Sequence, residues 1–157
     1  VYLRVGKLPV PVVTDESTPF EIGRAVGLRE GGDVTLLTTG CMASETLRAA
    51  ELLAAEGLEA DVLHLHTIKP LDVEAVIASA TRTGCVVTAE EHSVLNGLGS
   101  TVAEALGERL PVPLERVGTK DVFGVSGTMD ELFDHFGLRA ADIARAARRA
   151  LGRRDRG

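Results

Sequence analysis

Short runs of β-forming apolar residues alternate along this chain with segments in which apolar residues recur every three or four positions. The first pattern predicts buried strands, and the second predicts helices that each turn one face to a core. The predicted strands cover residues 34–39, 61–65, 85–89 and 114–118, with a weaker candidate at 23–30. Strands that alternate with helices form βαβ units, whose crossovers are almost always right-handed. We therefore expect an α/β fold with an open, mostly parallel five-stranded sheet, helices on both faces and one strand that could run antiparallel.

Two of the predicted helices begin with a local capping signal. Asp72 stands where an N-cap residue is expected, and Thr128 precedes Glu131 by three positions, as in a capping box. Because the carboxyl ends of parallel strands meet at one edge of a sheet, the residues that close the predicted strands should lie along that edge. These residues are Thr39, His66, Glu90 and Thr119.

Charge is distributed unevenly along the chain, which carries a net charge of −6. Residues 145–157 contain six arginines and one aspartate, so the remainder holds 11 basic and 22 acidic residues, a net charge of −11. An acidic body argues against a nucleic-acid surface, which requires a broad basic face. The arginines suit the C-terminal end of a helix, whose dipole favours cations, although this tail could also contact an acidic partner.

The cysteines and the apolar runs bear on the location of the protein. Cys41 and Cys85 are far apart in the sequence and fit a reduced cytoplasm. No apolar run approaches the roughly 20 residues that a membrane helix needs, so we expect no membrane contact. The sequence begins at Val1 rather than at Met, which suggests a trimmed or excised piece.

The segment after the third predicted strand holds most of the chemically active side chains. Glu90, Glu91 and His92 follow that strand directly and could act as an acid–base group. The alternative is a strand-end glutamate that is hydrogen-bonded to a neighbouring backbone. Gly97 and Gly99 open the next helix, whose N–H groups could bind an anion. These glycines could instead allow the loop and the helix to pack closely.

Cys41 and a pair of histidines are weaker candidates. Cys41 opens a predicted helix, a position that lowers a thiol pKa, although a small buried thiol is the simpler interpretation. His64 and His66 would project from one face of a strand, as in a metal pair, but no third ligand lies nearby in the sequence, and we predict no metal site. The candidate cleft or interface therefore comprises Cys41, His66, Glu90, Glu91, His92, Gly97 and Gly99.

Five segments, in the same order along the chain, resemble the C-terminal domain of transketolase-type, thiamine-diphosphate-dependent enzymes. They are Glu-Gly-Gly-Asp-Val-Thr-Leu-Leu-Thr-Thr-Gly at 30–40, His-Thr-Ile-Lys-Pro-Leu-Asp at 66–72, Val-Thr-Ala-Glu-Glu-His at 87–92, Gly-Leu-Gly-Ser at 97–100 and Asp-Val-Phe-Gly-Val-Ser-Gly at 121–127. The second and fifth segments are closest to transketolases, including those divided into two subunits. Asn96 departs from the pattern, because many members of the family carry glycine there.

The resemblance implies a division of labour between domains. The thiamine diphosphate and Mg²⁺ of the intact enzyme would be bound by an N-terminal domain, and the glutamate that activates the cofactor would lie on a middle domain. It assigns no catalytic or cofactor-binding residue to this chain, which we expect to be inactive and cofactor-free when alone. Residues 1–13 would be the end of the preceding pyrimidine-binding domain plus a linker, 14–152 the transketolase C-terminal domain, and 153–157 a basic tail.

The intact enzyme would transfer a two-carbon ketol unit between sugar phosphates, as in pentose phosphate metabolism. Its implied partners are the missing N-terminal and pyrimidine-binding domains or subunit, within a homo-oligomer such as a dimer. Three alternatives stay open at this point. The chain could be the corresponding domain of deoxyxylulose-phosphate synthase, the corresponding docking domain of a 2-oxo acid dehydrogenase β subunit, or a free-standing module that binds a small anion or nucleotide.

Overall fold

The architecture is a single sheet with helices packed on both of its faces, seen in a computed structural model that describes residues 2–6 and 9–156. Its strands are β1 (Val26–Arg29), β2 (Val34–Thr38), β3 (Ala60–His64), β4 (Val86–Ser93) and β5 (Leu114–Thr119). Its helices are α1 (Met42–Ala54), α2 (Val73–Thr83), α3 (Leu98–Arg109), α4 (Met129–Phe136) and α5 (Ala140–Arg154).

The sheet has the strand order β1-β3-β2-β4-β5. Strands β3, β2, β4 and β5 are parallel, and β1 pairs antiparallel with β3 at one edge. The prediction of an open, mostly parallel five-stranded sheet with one antiparallel strand is confirmed. The four parallel strands have their carboxyl ends at the same edge of the sheet, as expected for Thr39, His66, Glu90 and Thr119.

Two apolar clusters cover the two faces of the sheet. Alternate residues of β2 divide between them, so that Leu36 lies in the cluster under α1, α4 and α5, and Leu37 lies in the cluster under α2 and α3. Helix α1 follows β2 on the first face, whereas α3 follows β4 on the second. Because these two adjacent strands lead to helices on opposite faces, the carboxyl ends of β2 and β4 flank a topological switch point.

The structure moves the other predicted strand boundaries by one residue at most and corrects two strands by more. Strand β4 was expected to end at Ala89, but it continues to Ser93, because Ser93 pairs with Thr119 of β5 after an irregularity in the register. Glu90, Glu91 and His92 are therefore part of the strand rather than residues that follow it. The weak strand candidate at 23–30 is a strand, but it is shorter, Val26–Arg29, and is the antiparallel one.

The described residues at the start of the chain are mostly exposed. Residues 2–6 and 9–13 have no regular secondary structure, and Val13 is the one among them that is half-buried. Arg4 forms an ion pair with Glu91, which places this segment at the carboxyl edge of the sheet. No helix within 2–6 and 9–156 combines the length and the apolar character needed to cross a membrane.

Candidate functional site

Glu90, in the second half of β4, connects this strand to the start of helix α3. Its side chain is completely buried, and its Oε2 and Oε1 accept hydrogen bonds from the backbone N–H groups of Leu98 (2.7 Å) and Gly99 (2.9 Å). The first N–H groups of a helix have no partner within the helix, and the helix dipole favours a negative charge beside them. The anion position at the start of α3 is therefore filled by a carboxylate of this same chain.

His92, two residues further along β4, completes this arrangement. Its Nε2 lies 2.7 Å from Glu90 Oε2, and its side chain is 32% exposed. The hydrogen bond to Glu90 is the main cause that raises the pKa of His92, while partial burial acts in the opposite direction. With its proton on Nε2, the ring donates to the carboxylate, so Glu90 has three donors around it.

The glycines of the α3 start make room for this carboxylate and for its neighbours. A side chain at Gly97 would overlap the Glu90 carboxylate and would bring its Cβ within 2.7 Å of His92 Nε2. A Cβ at Gly99 would come within 2.7 Å of Arg116 Cδ and 2.8 Å of Thr88 Oγ1. Both positions are occupied by glycine where the loop and helix approach the strand closely, as in the packing interpretation of the sequence.

Glu91 points away from this group and lies beside α1. Its carboxylate pairs with Arg4 and fits against Gly40, where an added Cβ would lie 2.8 Å from Glu91 Oε2. Gly40 also has a φ of +57°, a backbone conformation that side chains disfavour. The side chains of Glu90 and Glu91 therefore lie on opposite faces of the sheet, since successive strand residues point in opposite directions.

Cys41 is the half-buried N-cap residue of α1, in agreement with its interpretation as a small buried thiol. Burial raises the pKa of the Cys41 thiol to about 11, and the negative charge of Glu91 adds to this effect. Desolvation and an acidic neighbour both disfavour the thiolate, and they outweigh the opposite effects of a backbone hydrogen bond and of Arg4. Cys41 is therefore a poor nucleophile in this fold.

His66 lies apart from the other candidate residues. Strand β2 separates β3, which leads to His66, from β4, which carries Glu90 and Glu91. The His66 ring stacks on Phe20 with centroids 4.4 Å apart, and its Nδ1 is 3.0 Å from Thr67 Oγ1. Its ring centroid is 6.2 Å from that of His64, whose pKa is lowered by burial.

The structure thus divides the predicted set into three groups. Glu90, His92, Gly97 and Gly99 form one group, Cys41 and Glu91 form a second, and His66 stands alone. Among the described residues, no group of three or more histidine, cysteine or acidic side chains is arranged to hold a metal ion. Glu90 already accepts hydrogen bonds on both oxygens, so it is positioned as a structural cap rather than as a base facing a substrate.

Two contacts of this region had no signal in the sequence. Arg4 lies 87 positions from Glu91, and its place in an alternating segment does not indicate a partner. Arg116 donates from Nη1 to the carbonyl oxygen of Val94 (3.1 Å) and so fixes the turn between β4 and α3. Both are contacts between distant parts of the chain, which a local pattern cannot indicate.

Comparison with known proteins agrees with this architecture and identifies the family. Residues 23–143 match the transketolase C-terminal domain family. The chain is 52% identical over 155 residues to a 6-deoxy-6-sulfo-D-fructose transketolase subunit of a Clostridium species, covering 99% of this chain and 48% of that protein. It is 39% identical over 148 residues to one of the subunits of the apulose-4-phosphate transketolase of Phocaeicola vulgatus, covering 94% of this chain and 47% of that protein.

A solved structure of a transketolase has the same fold as this chain. A split-gene transketolase, described as an inactive beta4 tetramer, superposes with a TM-score of 0.89 at 47% identity, covering 92% of this chain and 48% of that chain. The chain spans about half the length of the curated relatives that it matches first, 48% and 47%. It is a member of the transketolase C-terminal domain family.

Proposed function

We propose that this chain is the C-terminal assembly domain of a transketolase, whose other domains or subunit carry out the chemistry. The intact enzyme would transfer a two-carbon ketol unit from a ketose phosphate to an aldose phosphate. The observation that carries the proposal is the 52% identity, along 99% of this chain, to a transketolase subunit. Matches to 1-deoxy-D-xylulose-5-phosphate synthases are weaker, at 41% identity for the enzyme of Synechocystis.

The role in assembly rests on the way in which the polar residues of the chain are used. Both oxygens of Glu90 bind the backbone of α3, and Glu91 pairs with Arg4. Among the described residues, no group of three or more histidine, cysteine or acidic side chains is arranged to hold a metal ion, and the family resemblance implies that other domains hold Mg²⁺ and the diphosphate. We therefore assign thiamine diphosphate and its metal to the remaining parts of the enzyme, and no catalytic residue to this chain.

The proposed domain organisation follows the division made on the sequence. Residues 1–13 would be the end of a preceding pyrimidine-binding domain plus a linker, and their described part has no regular secondary structure and is exposed except at Val13. Residues 14–152 would form the C-terminal domain, which encloses the family match at 23–143. The basic tail proposed at 153–157 begins inside the last turn of α5, which ends at Arg154.

The proposed setting is a cytoplasmic enzyme that is a dimer or a larger homo-oligomer. The split-gene transketolase of similar sequence is described as a tetramer, which supports association of this kind of chain. Two separated free cysteines suit a reducing compartment. Pentose phosphates and related sugar phosphates are the proposed substrate class, since phosphorylated sugars are the usual partners in ketol transfer.

Calorimetry with thiamine diphosphate and Mg²⁺ tests the proposal directly. The chain alone should bind neither with useful affinity, because the groups that hold a diphosphate and activate the ring belong to other domains. Adding the protein that supplies those domains should produce both cofactor binding and ketol transfer. Micromolar binding by the isolated chain would overturn the proposal and would favour a free-standing binding module.

A further inference from the structure

The large exposed apolar side chains are concentrated at the carboxyl edge of the sheet. Leu95 follows β4, Val122, Phe123 and Val125 follow β5, and Phe20 stacks on the ring of His66 beyond β3. We call the surface formed by Phe20, Ile22, Leu95, Val122, Phe123 and Val125 the apolar edge. Ile22 belongs to it because β1 starts beside His64, at the same end of β3. Isolated apolar side chains are normal on surfaces, but a concentration of them on one edge marks an interaction surface.

The loop between β5 and α4 is the most prominent part of the apolar edge. Residues 121–128 are all exposed, and Phe123 is 99% exposed. An aromatic side chain that projects fully from a short loop is suited to fill a pocket on another protein, since aromatic anchors contribute strongly to interfaces. Leu52, on α1, is 43% exposed and lies outside this edge.

The start of the chain approaches the same edge. Arg4 pairs with Glu91 at the carboxyl end of β4, and the neighbouring side chains Tyr2, Leu3 and Val5 are exposed. Whatever precedes this segment in a longer protein would therefore lie beside the apolar edge. The first relatives are about twice as long as their match to this chain, which covers 48% and 47% of them, so they contain a further unit of similar size.

A second copy of this chain is a poorer occupant for two reasons. Two surface cavities of the described chain, of about 410 Å³ and 550 Å³, are lined mainly by charged side chains such as Glu115, Arg149 and Asp61, and neither suits Phe123. The net charge of −6 also makes copies of the chain repel each other.

We propose that the apolar edge docks onto the part of the transketolase that this chain lacks, with Phe123 inserted into an apolar pocket of that part. The proposal rests on the proposed function, since that part is the cofactor-binding remainder of the enzyme. It assigns the docking surface to the carboxyl edge and to the loop after β5, rather than to the outer faces of the helices. The Arg4–Glu91 ion pair holds the connecting segment at the border of this surface.

Hydroxyl-radical footprinting of single side chains tests the proposal in the intact assembly. Phe123 should be oxidised rapidly in the isolated chain, measured where it is monomeric, and about tenfold more slowly in the assembly, because docking excludes water from hot-spot side chains. Phe133, which is 7% exposed, should be protected in both, and Leu52 should be modified equally in both.

A matched pair of variants identifies the energetic role of the loop. Phe123→Asp should weaken binding of the chain to the remainder of the enzyme at least about tenfold, as for an interface anchor, whereas Leu52→Asp should change it less than about twofold. Both side chains are exposed, so we expect both variants to have the thermal unfolding temperature of the wild-type chain, which would show that they remain folded.

Three results would overturn the proposal. One is rapid oxidation of Phe123 in the assembly, and another is equal binding by the two variants. The third is a dimer of the isolated chain that protects Phe123 and persists when the remainder of the enzyme is added, which would assign the edge to a second copy. Ketol transfer by the wild-type assembly is measured separately. An active assembly with an unprotected edge would reject the docking surface alone, and an inactive assembly with a protected edge would reject the proposed function alone.

Discussion

At the scale of single residues, Glu90 explains most of the geometry around it. A buried carboxylate is costly unless it is paired and hydrogen-bonded, and Glu90 meets this condition with two backbone N–H groups and His92. The same contacts connect β4 to α3, so one side chain serves both as a helix cap and as a link between elements.

Replacing Glu90 with glutamine tests this role. The amide keeps the shape but removes the charge and one acceptor, so an N–H group of Leu98 or Gly99 would face an NH₂ group. We expect the free energy of unfolding to fall by about 1–3 kcal/mol, the cost of an unsatisfied buried polar group. Urea unfolding measures it, with Glu108→Gln on the exposed side of α3 as the control. Equal stability of the two variants would contradict the capping role.

His92 should make the stability of the protein depend on pH. Its hydrogen bond to Glu90 raises the pKa of His92 in the folded state above the value of about 6.5 for an unperturbed histidine. The stabilisation from the protonated ring is therefore complete below about pH 6.5 and is lost as the pH rises through the folded-state pKa. Unfolding free energies measured across this window should decrease in wild type and should decrease less in His92→Gln.

His64 provides a control of opposite sign. Burial lowers the pKa of His64, so its unfavourable protonation affects stability as the pH falls below about 6.5 rather than as it rises. His64→Gln should leave the loss of stability above that pH unchanged. A wild-type profile that is flat above about pH 6.5 would show that the bond between His92 and Glu90 is not formed in solution.

At the scale of elements, the helix starts show what the sequence could predict. Asp72 caps α2 by accepting from Ala75 N–H (3.2 Å), and Thr128 forms the expected capping box with Glu131, so both local signals are confirmed. Helix α5 has a local contact, in which Asp142 accepts from Arg139 N–H (3.1 Å), and also one from a distant element, in which Glu45 of α1, 95 positions away, accepts from Ala140 N–H (2.8 Å). Glu90 serves α3 in the same way. Caps formed within one turn leave a pattern in the sequence, but caps formed between elements depend on packing.

The strands follow the same rule. The buried strands were predictable because their apolar runs are local, whereas the extension of β4 to Ser93 depends on a partner in β5. Polar residues such as Glu91 and His92 do not indicate a strand by themselves. The separation of His66 from the other candidates was equally beyond the sequence, because it follows from the strand order, and Glu90 and Glu91 lie on opposite faces because both belong to the extended β4.

The junction of β4 and α3 can be tested through its glycines. Gly97→Ala would place a methyl group against the Glu90 carboxylate and His92, and we expect a loss of about 1–3 kcal/mol in the free energy of unfolding through overpacking. Gly107→Ala lies within α3, where a Cβ meets nothing within 4 Å. It should stabilise the protein by about 0.5–1 kcal/mol, because alanine is the better helix former.

Thermal or urea unfolding of the two alanine variants therefore gives shifts of opposite sign. The two variants can be compared directly, because Gly97 is the N-cap residue of α3 and Gly107 lies within the same helix. If Gly97→Ala were as stable as wild type, the close approach of the loop to Glu90 would be absent in solution.

At the scale of the whole molecule, apolar attraction and electrostatic repulsion act on different surfaces. The apolar edge carries half of the exposed large hydrophobic side chains of the described residues, while the chain as a whole has a net charge of −6. When the remainder of the enzyme is missing, the apolar edge stays open to water. The isolated chain should then associate weakly with itself as a substitute for its natural partner.

Light scattering on the isolated chain measures this association. We expect a dimer or larger species at high protein concentration, and a shift toward it with added salt, because salt screens the repulsion between negatively charged copies but leaves the apolar attraction. Phe123→Asp should return the chain to a monomer by adding charge at the most exposed point of the apolar edge, whereas Leu52→Asp should not. Since both variants add one negative charge, a difference between them isolates the contribution of the apolar edge. A wild-type chain that remains monomeric at high concentration and high salt would contradict this account of the surface.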